Sequence, residues 1–519
     1  MSRRGRSILV LAVGGLLVVL IGGAAALLAL RQAQPSCRPA AVSDAVRLAV
    51  EPRSDNALIA DATVELSSPA AVYLEYGNPQ LGWLRTPASA VSLVHRLPIV
   101  RLRPQTAYQV RALALDRSGC AATAAVAELM TDRLPAQFQK LVVESSGRPT
   151  FPLTLMDLHP PDSALRWLTV VDPDGRVVWY YPTPEDFLPP PPNTTSTNMR
   201  QSPPPLDAVS VKQRANGNLV YLAGYYGLEE ITPDGRVVHR FRTEDGAASR
   251  PHHDLVELPD GRILFIGAED RWISDSRRGG PPNTLVRGDA LQVVDLETGQ
   301  ARQVWSPFDY LDPTERSGDW GKIRLDQTLE WQHTNSVALG PRGNVLLSSR
   351  YLNQVISIAP DLESVEWKLG GPGSSFSFPS PEDRFYGQHA VNELANGHLI
   401  MFDNGNFRPD GAYSRALELQ LDLRSMTARR VWEYRHDPGV YSDRLSNATR
   451  LANGNTLVSF GVQADPEAPP VLVEVRPDGA VSWELLLRWT NKYTTRYRAY
   501  PLSSLAGETA VEPTPLSTP

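Results

Sequence analysis

Cysteine is scarce here: Cys37 and Cys120 are the only two among 519 residues. No Cys-x-x-Cys pair and no Cys/His cluster occurs, so nothing suggests structural zinc. The two cysteines lie near the ends of one segment. A single Cys37–Cys120 disulfide is expected if that segment lies outside the cytosol, with two unpaired buried thiols as the alternative. A basic excess is also missing. Lys and Arg number 51 against 57 Asp and Glu, a net charge of −6. Without a basic stripe to meet a phosphate backbone, the composition argues against nucleic acid as a partner. Long hydrophobic runs are absent but for residues 8–30, an uncharged apolar stretch long enough to span a bilayer as a helix. Arg3, Arg4 and Arg6 precede it, Arg31 ends it, and no clean small-residue cleavage site stands before that. The pattern predicts an uncleaved signal-anchor, with residues 1–7 cytoplasmic and the rest periplasmic or extracellular. A cleaved signal is the alternative.

What is plentiful is punctuation. Gly 37 and Pro 45, with recurring Asp-Gly and Asn-Gly pairs, indicate a turn-rich all-β protein. Residues 40–131 alternate as strands do, at 63–66, 71–76 and 108–115, and predict a small β-sandwich. Its run from Leu102 through Pro104 to Tyr108, then Val110 to Ala114 and a Ser118-Gly119 turn, resembles the later strands of fibronectin type III domains, where such a tyrosine packs at a corner.

From about residue 136 a unit repeats. Each has a strand, a turn, a strand, and later a Pro-Asp-Gly-Arg-Val-Val-Trp kind of strand. The turns fall at Asn216-Gly217, Asp260-Gly261, Arg342-Gly343, Asn396-Gly397 and Asn453-Gly454. The outer-strand signature appears at 174–179, 234–238 and 478–483, with looser versions ending at Trp305, Trp367 and Trp432. Six outer strands predict a six-bladed β-propeller over 136–500. A Pro-rich excursion at 188–205 reads as an extended surface loop, and 271–330 holds a long connection between units three and four. Residues 503–519 read as a disordered tail.

Polar residues cluster at one phase of this repeat. His252-His253-Asp254, His333-Thr334-Asn335-Ser336, Gln388-His389 and 446–449 each open the first strand of a unit. In a propeller that strand lines the central channel. His253, His333, His389 and the Asn447–Thr449 pair should therefore converge, with Arg350 at the rim. Of nine histidines, His95, His159, His239, His398 and His436 fall off this phase and read as structural or surface. Converging histidines suit a metal. The nearby Arg350 opposes a cation and favours an anion, and no metal is expected. Asp254 should point away from the channel and orient its neighbours from behind.

The runs His252-His253-Asp254 with Leu258-Pro259-Asp260-Gly261, His333-Thr334-Asn335-Ser336 with Ser348-Ser349-Arg350, Trp367-Lys368-Leu369-Gly370-Gly371, Gln388-His389 and Phe402-Asp403-Asn404-Gly405 are similar to those of bacterial arylsulfate sulfotransferases. The resemblance spans nearly all of 40–500. It implies a six-bladed propeller behind a smaller N-terminal β domain. It also implies transfer of a sulfuryl group from an aryl sulfate donor to a phenolic acceptor, with no nucleotide sulfate and no cofactor. By motif, His389 matches the family's transiently sulfated nucleophile. His333, Asn335 and Arg350 match the residues that hold sulfuryl oxygens, and Thr449 a further sulfate contact. His253 matches the histidine that exchanges a proton at the phenol oxygen; His252, its neighbour, competes for that place. One departure is the lack of cysteine in the propeller, where some relatives carry a disulfide near the site. The chemistry suits the residues independently, since neutral imidazole is a competent nucleophile and fixed cations and N–H donors stabilise an equatorial oxyanion. The competing readings are a membrane-anchored, non-catalytic propeller binding an anionic ligand or protein partner, a calcium-dependent lactonase and a quinone-dependent dehydrogenase. A homodimer is left open.

Overall fold

The computed structural model describes residues 46–115, 121–159, 166–183, 210–243, 250–274, 283–315, 328–436, 439–462, 471–489 and 496–514. Cys37, Cys120, the expected anchor over 8–30 and the Pro-rich excursion lie outside them. Among the described residues no helix is long and apolar enough to cross a membrane.

Six antiparallel sheets of four core strands form a six-bladed propeller. Their central strands are buried on both faces, as at Leu219–Leu222, Val345–Ser349 and Leu399–Asp403. This explains why they read as continuous apolar runs rather than alternating ones. The apolar clusters lie between blades. Leu346, Val355 and Trp367 of blade four pack with Val391, Leu399 and Met401 of blade five, for example. The glycines of the five predicted inner turns all have φ between +79° and +90°, a region that strains other residues.

The outer tryptophan signature has a structural cause. Trp179 Nε1 donates to the Pro233 carbonyl at 2.7 Å, Trp432 Nε1 to that of Pro477 at 3.2 Å and Trp483 Nε1 to that of Pro173 at 2.9 Å. Each proline belongs to the Pro-Asp-Gly turn of the next blade. At these three junctions indole and turn repeat together because the indole staples its blade to the turn of the next.

The ring closes twice. Leu141–Gly147 adds a fifth strand outside Val481–Trp489 of blade six. Ala499–Leu502, near the C-terminus, is the innermost strand of blade one, pairing with Leu153–Leu158. The other five blades take their inner strands in chain order: Val211–Gln213, Pro251–Glu257, Thr334–Leu339, His389–Glu393 and Asn447–Arg450.

Before the propeller, Val46–Pro52, Ala60–Asn78, Gly82–Arg85, Ser92–Ile99, Ala107–Leu115 and Ala121–Met130 form a small β domain. The 19-residue strand Ala60–Asn78 runs through both of its sheets. The tail expected to be disordered is corrected here. Thr509–Val511 pairs with Gly82–Arg85, and Thr514 binds Glu75 through both its N–H (2.9 Å) and its hydroxyl (2.8 Å). A stretch low in hydrophobics is held by backbone pairing, by the buried carboxylates of Glu75 and Glu508, and by one apolar anchor, Leu505, which is buried in the core of blades one and two.

Candidate active site

The inner strands of blades three, four and five each carry a register irregularity at the residues of interest: between His252 and Leu255, Thr334 and Ser336, and His389 and Asn392. A bulge re-aims side chains at the end of a ladder. His253 (φ 61°), His333 (φ 50°), Ala390 (φ 54°), Leu445 (φ 61°) and Ser446 (φ 83°) all adopt the left-handed region without being glycine. Such strain of about 1 kcal/mol or more per residue gathers where a scaffold must present groups at fixed angles. Here four blades present it at the same end of the channel.

His389 is buried and held by defined partners. Its Nδ1 lies 2.7 Å from Asn404 Oδ1 and 3.1 Å from the Gly387 carbonyl. Asn404 Nδ2 donates to the carbonyls of Ser442 (2.8 Å) and Leu445 (3.3 Å), so its oxygen must face the ring. Nδ1 therefore carries the proton and Nε2 is the acceptor nitrogen of the ring. Nε2 accepts the Leu445 N–H at 3.3 Å, a long hydrogen bond. Burial, then the charge of Arg350, holds His389 well below the ordinary imidazole range and keeps it neutral. Behind it, Gln388 Nε2 donates to Ser348 Oγ, Ser349 O and Gln354 O, fixing the strand start. Asp403 takes Arg415 Nε at 2.9 Å and the Tyr386 N–H at 2.9 Å, fixing the loop that carries Asn404.

His253 and His333 meet edge to face, with ring centroids 4.8 Å apart. His333 stacks on Tyr351 at 4.5 Å, and its Nδ1 lies 2.9 Å from Glu330 Oε1. Burial, then the His333 and His252 rings, pushes His253 well below the ordinary range. His252 stands behind it. The two Nδ1 atoms are 2.7 Å apart, and His252 Nε2 is 3.3 Å from Asp289 Oδ1. That places His253 in the pocket and His252 in a supporting role. Arg350 is largely buried, donates to the Asp443 carbonyl at 2.8 Å and lies over the Tyr351 ring. Asn335 Nδ2 donates to the Gln388 carbonyl at 2.7 Å, which ties blade four to blade five.

Asn447 and Thr449 are placed elsewhere. Asn447 exchanges two hydrogen bonds with Ala499 (2.9 and 3.0 Å) and donates to Thr449 Oγ1 at 3.2 Å. Both residues line a deeper cavity of about 30 Å³ with Lys212, Asp254, Arg498 and Tyr500. Asn447 thus fastens blade six to blade one, and the sulfate contact suggested for Thr449 lacks support from its position. Asp254 does lie behind the site. It takes Arg498 Nη1 at 2.7 Å, Lys212 Nζ at 3.1 Å and the Val337 N–H at 3.2 Å. Among the off-phase histidines, His95 binds Ser89, His398 binds Glu418 and His436 binds Tyr434.

Four contributors were not singled out in the sequence: Glu330, Asp289, Tyr497 and Arg498. Tyr497 OH (2.9 Å) and Arg498 Nη2 (2.7 Å) both donate to the Asn335 carbonyl. They precede the inner strand of blade one, which comes last in the chain with no glycine turn after it. The repeat phase that exposed the histidines therefore passes over them.

The arrangement offers a neutral imidazole nitrogen, a second neutral imidazole with a relay behind it, and a buried guanidinium. No group of His, Cys, Asp and Glu suited to a metal occurs among the described residues. Comparisons with known proteins place the chain among its relatives. The chain is 24% identical over 318 residues to the arylsulfate sulfotransferase AssT of Escherichia coli O6:H1, covering 49% of this chain and 52% of that protein. It is 26% identical over 258 residues to the arylsulfate sulfotransferase AssT of Lelliottia amnigena, covering 42% and 41%. The chain thus spans about half the length of these curated relatives or less. Among solved structures, a Bacteroides caccae protein of unknown function superposes with a TM-score of 0.40 at 15% identity, covering 67% of this chain and 98% of that one. The sequence profile of the arylsulfotransferase (ASST) family matches residues 143–498, which takes in every histidine of the channel mouth and all of the propeller but its first two residues and the innermost strand of blade one, and the chain belongs to that family.

Proposed function

We propose that this protein transfers a sulfuryl group from a phenolic sulfate ester to a phenol, in two steps through a sulfated His389. The observation that carries this reading is the fixed tautomer of His389. Asn404 and Gly387 hold the Nδ1 proton, so Nε2 is unprotonated and its lone pair meets the Leu445 N–H at a long 3.3 Å, a contact that an ester sulfur would displace. In the first step Nε2 attacks the ester sulfur, the S–O(aryl) bond breaks and the aryloxide leaves. In the second, an acceptor phenol loses its proton to His253, its oxygen attacks sulfur, and the N–S bond breaks to restore neutral His389. Both steps pass through charge spread over three sulfuryl oxygens, which the Arg350 guanidinium, His333 and the Leu445 N–H stand ready to stabilise.

His253 is a poor resting place for a proton, being buried among other rings. The 2.7 Å Nδ1–Nδ1 contact lets it pass its own Nδ1 proton to His252, whose far side faces Asp289. The charge then rests beside a carboxylate rather than near Arg498.

Two other parts of the reading rest on the sequence. The apolar stretch 8–30 would anchor the protein with the propeller outside the cytosol. The small β domain is fibronectin type III-like, a view supported by Tyr108, whose hydroxyl accepts the Arg103 N–H at 2.7 Å across a corner.

The test is nitrophenolate release from 4-nitrophenyl sulfate, with and without added phenol. The expected result is release that rises with phenol and is lost in His389→Ala, with a sulfated His389 peptide found by mass after donor alone. Release indifferent to phenol, or persisting in His389→Ala, would defeat the proposal.

A further inference from the structure

Arg496 has no task in the site so far described. It is 0% exposed, and none of its three guanidinium nitrogens has a hydrogen-bond partner among the described residues. Buried guanidinium groups end on carboxylates or carbonyls, because an uncompensated buried charge is strongly destabilising. The carboxylate that acts on Arg496 is Asp157, and it is already occupied. Its Oδ2 takes Arg166 Nη1 at 2.7 Å, and its Oδ1 takes the N–H groups of Tyr497 (2.7 Å) and Arg498 (3.3 Å). Burial pushes the Arg496 guanidinium down to about 10 despite Asp157.

Its backbone is pinned beside the nucleophile. Arg496 N–H donates to the Gly461 carbonyl at 3.1 Å, and the next carbonyl, of Tyr497, accepts the Ser446 N–H at 3.1 Å. Ser446 follows Leu445, whose N–H faces His389 Nε2. A side chain on Gly461 would meet the Arg496 carbonyl at 2.3 Å, so the two segments approach as closely as backbone allows. Arg496 thus hangs from a rigid crossing between blades six and one, on the His389 side of the channel.

We propose that Arg496 is an anion receptor for a sulfate-class oxyanion, either free sulfate or the sulfate group of an aryl ester, at the junction of blades six and one. The free nitrogens of a planar guanidinium match two oxygens of such an anion, and the missing counter-charge is supplied by the ligand. The aryl-ester source rests on the proposed transferase activity; the oxyanion site itself does not.

The test is thermal unfolding of the full chain carrying R350M, with and without R496M, in sodium sulfate against sodium chloride of equal ionic strength. R350M should melt higher in sulfate, and adding R496M should weaken that response by about tenfold or more. Without sulfate, R496M should melt no lower than its parent, since it removes an uncompensated charge. If R350M does not fold, the unsubstituted chain against R496M and R496Q gives the same comparison. An R350M response to 4-nitrophenyl sulfate in an H389A background, absent with inorganic sulfate, would assign the ester as the source; the reverse would assign free sulfate. The proposal is overturned if neither anion shifts the melting of R350M, if R496M leaves the shift unchanged, or if R496M lowers melting equally with and without the anion. Failure of nitrophenolate release would sink the transferase reading and leave a sulfate shift standing.

Discussion

At the scale of single residues, the site is governed by which imidazoles stay neutral. His389 and His253 are both held below the ordinary range, by burial first. Arg350 adds to the effect at His389, because a nearby positive charge disfavours protonation. The sign follows directly. A nucleophile whose pKa is depressed remains competent as pH falls through the ordinary imidazole range and fails only below it. The acid limb of kcat/KM for 4-nitrophenyl sulfate should therefore lie well under that range. Arg350→Met should lower the rate and also move the limb toward higher pH, since it removes the charge that depresses His389. A limb that stays in place while the rate falls would mean Arg350 binds substrate without tuning the nucleophile.

At the scale of elements, the propeller is an association of sheets through their faces and their outer tryptophans. Trp179 is fully buried and its Nε1 meets the Pro233 carbonyl at 2.7 Å, whereas Trp305 Nε1 has no partner among the described residues. Trp179→Phe should cost about 1–3 kcal/mol, by leaving the Pro233 carbonyl unsatisfied, and Trp305→Phe clearly less, as read from urea midpoints. Equal costs would show that the indoles act by packing alone. At three junctions this staple makes tryptophan and Pro-Asp-Gly turn recur in step, and the glycine turns mark five inner hairpins; together these made the blade count legible in the sequence. His253, His333 and His389 were legible by the same phase. What the repeat could not reveal lies off that phase or depends on contacts distant in sequence. Tyr497 and Arg498 come from a strand that closes the ring out of order. Asp289 reaches His252 from the third strand of its blade. The bulges that turn His253 and His333 into the pocket leave no compositional mark. Asn447 shared the phase of the histidines, yet its amide is consumed in joining blade six to Ala499.

At the scale of the whole molecule, the site is complete only when the ring is shut. Tyr497 and Arg498, which hold the Asn335 carbonyl, lead into the strand that closes blade one, and the chain then runs on to pair with the small β domain. That domain is bound to the propeller by polar contacts as well, with Asn56 Nδ2 on the Tyr180 carbonyl at 2.9 Å and Arg103 on Asp172 at 2.7 Å. One apolar cluster runs through both, from Leu58 and Val110 of the small domain to Trp483 and Leu485 of blade six. Phe138 sits in that cluster, on the segment joining the two domains. Its ring centroid is 5.0 Å from that of Trp167, 5.6 Å from Tyr180 and 6.1 Å from Trp489, so it touches blades one and six where the ring closes. Truncating a buried phenylalanine costs about 3–5 kcal/mol through lost burial and the cavity left behind. Because the cavity would open at the closure, Phe138→Ala should lower one shared transition rather than release the small domain by itself. Tryptophan fluorescence and far-ultraviolet circular dichroism should then trace the same urea curve in the variant, displaced to lower urea. Transfer activity should vanish along that curve, because the loss of closure removes Tyr497 and Arg498 from the channel. Two separated transitions, with activity following the second, would mean that the propeller closes and works without the domain in front of it.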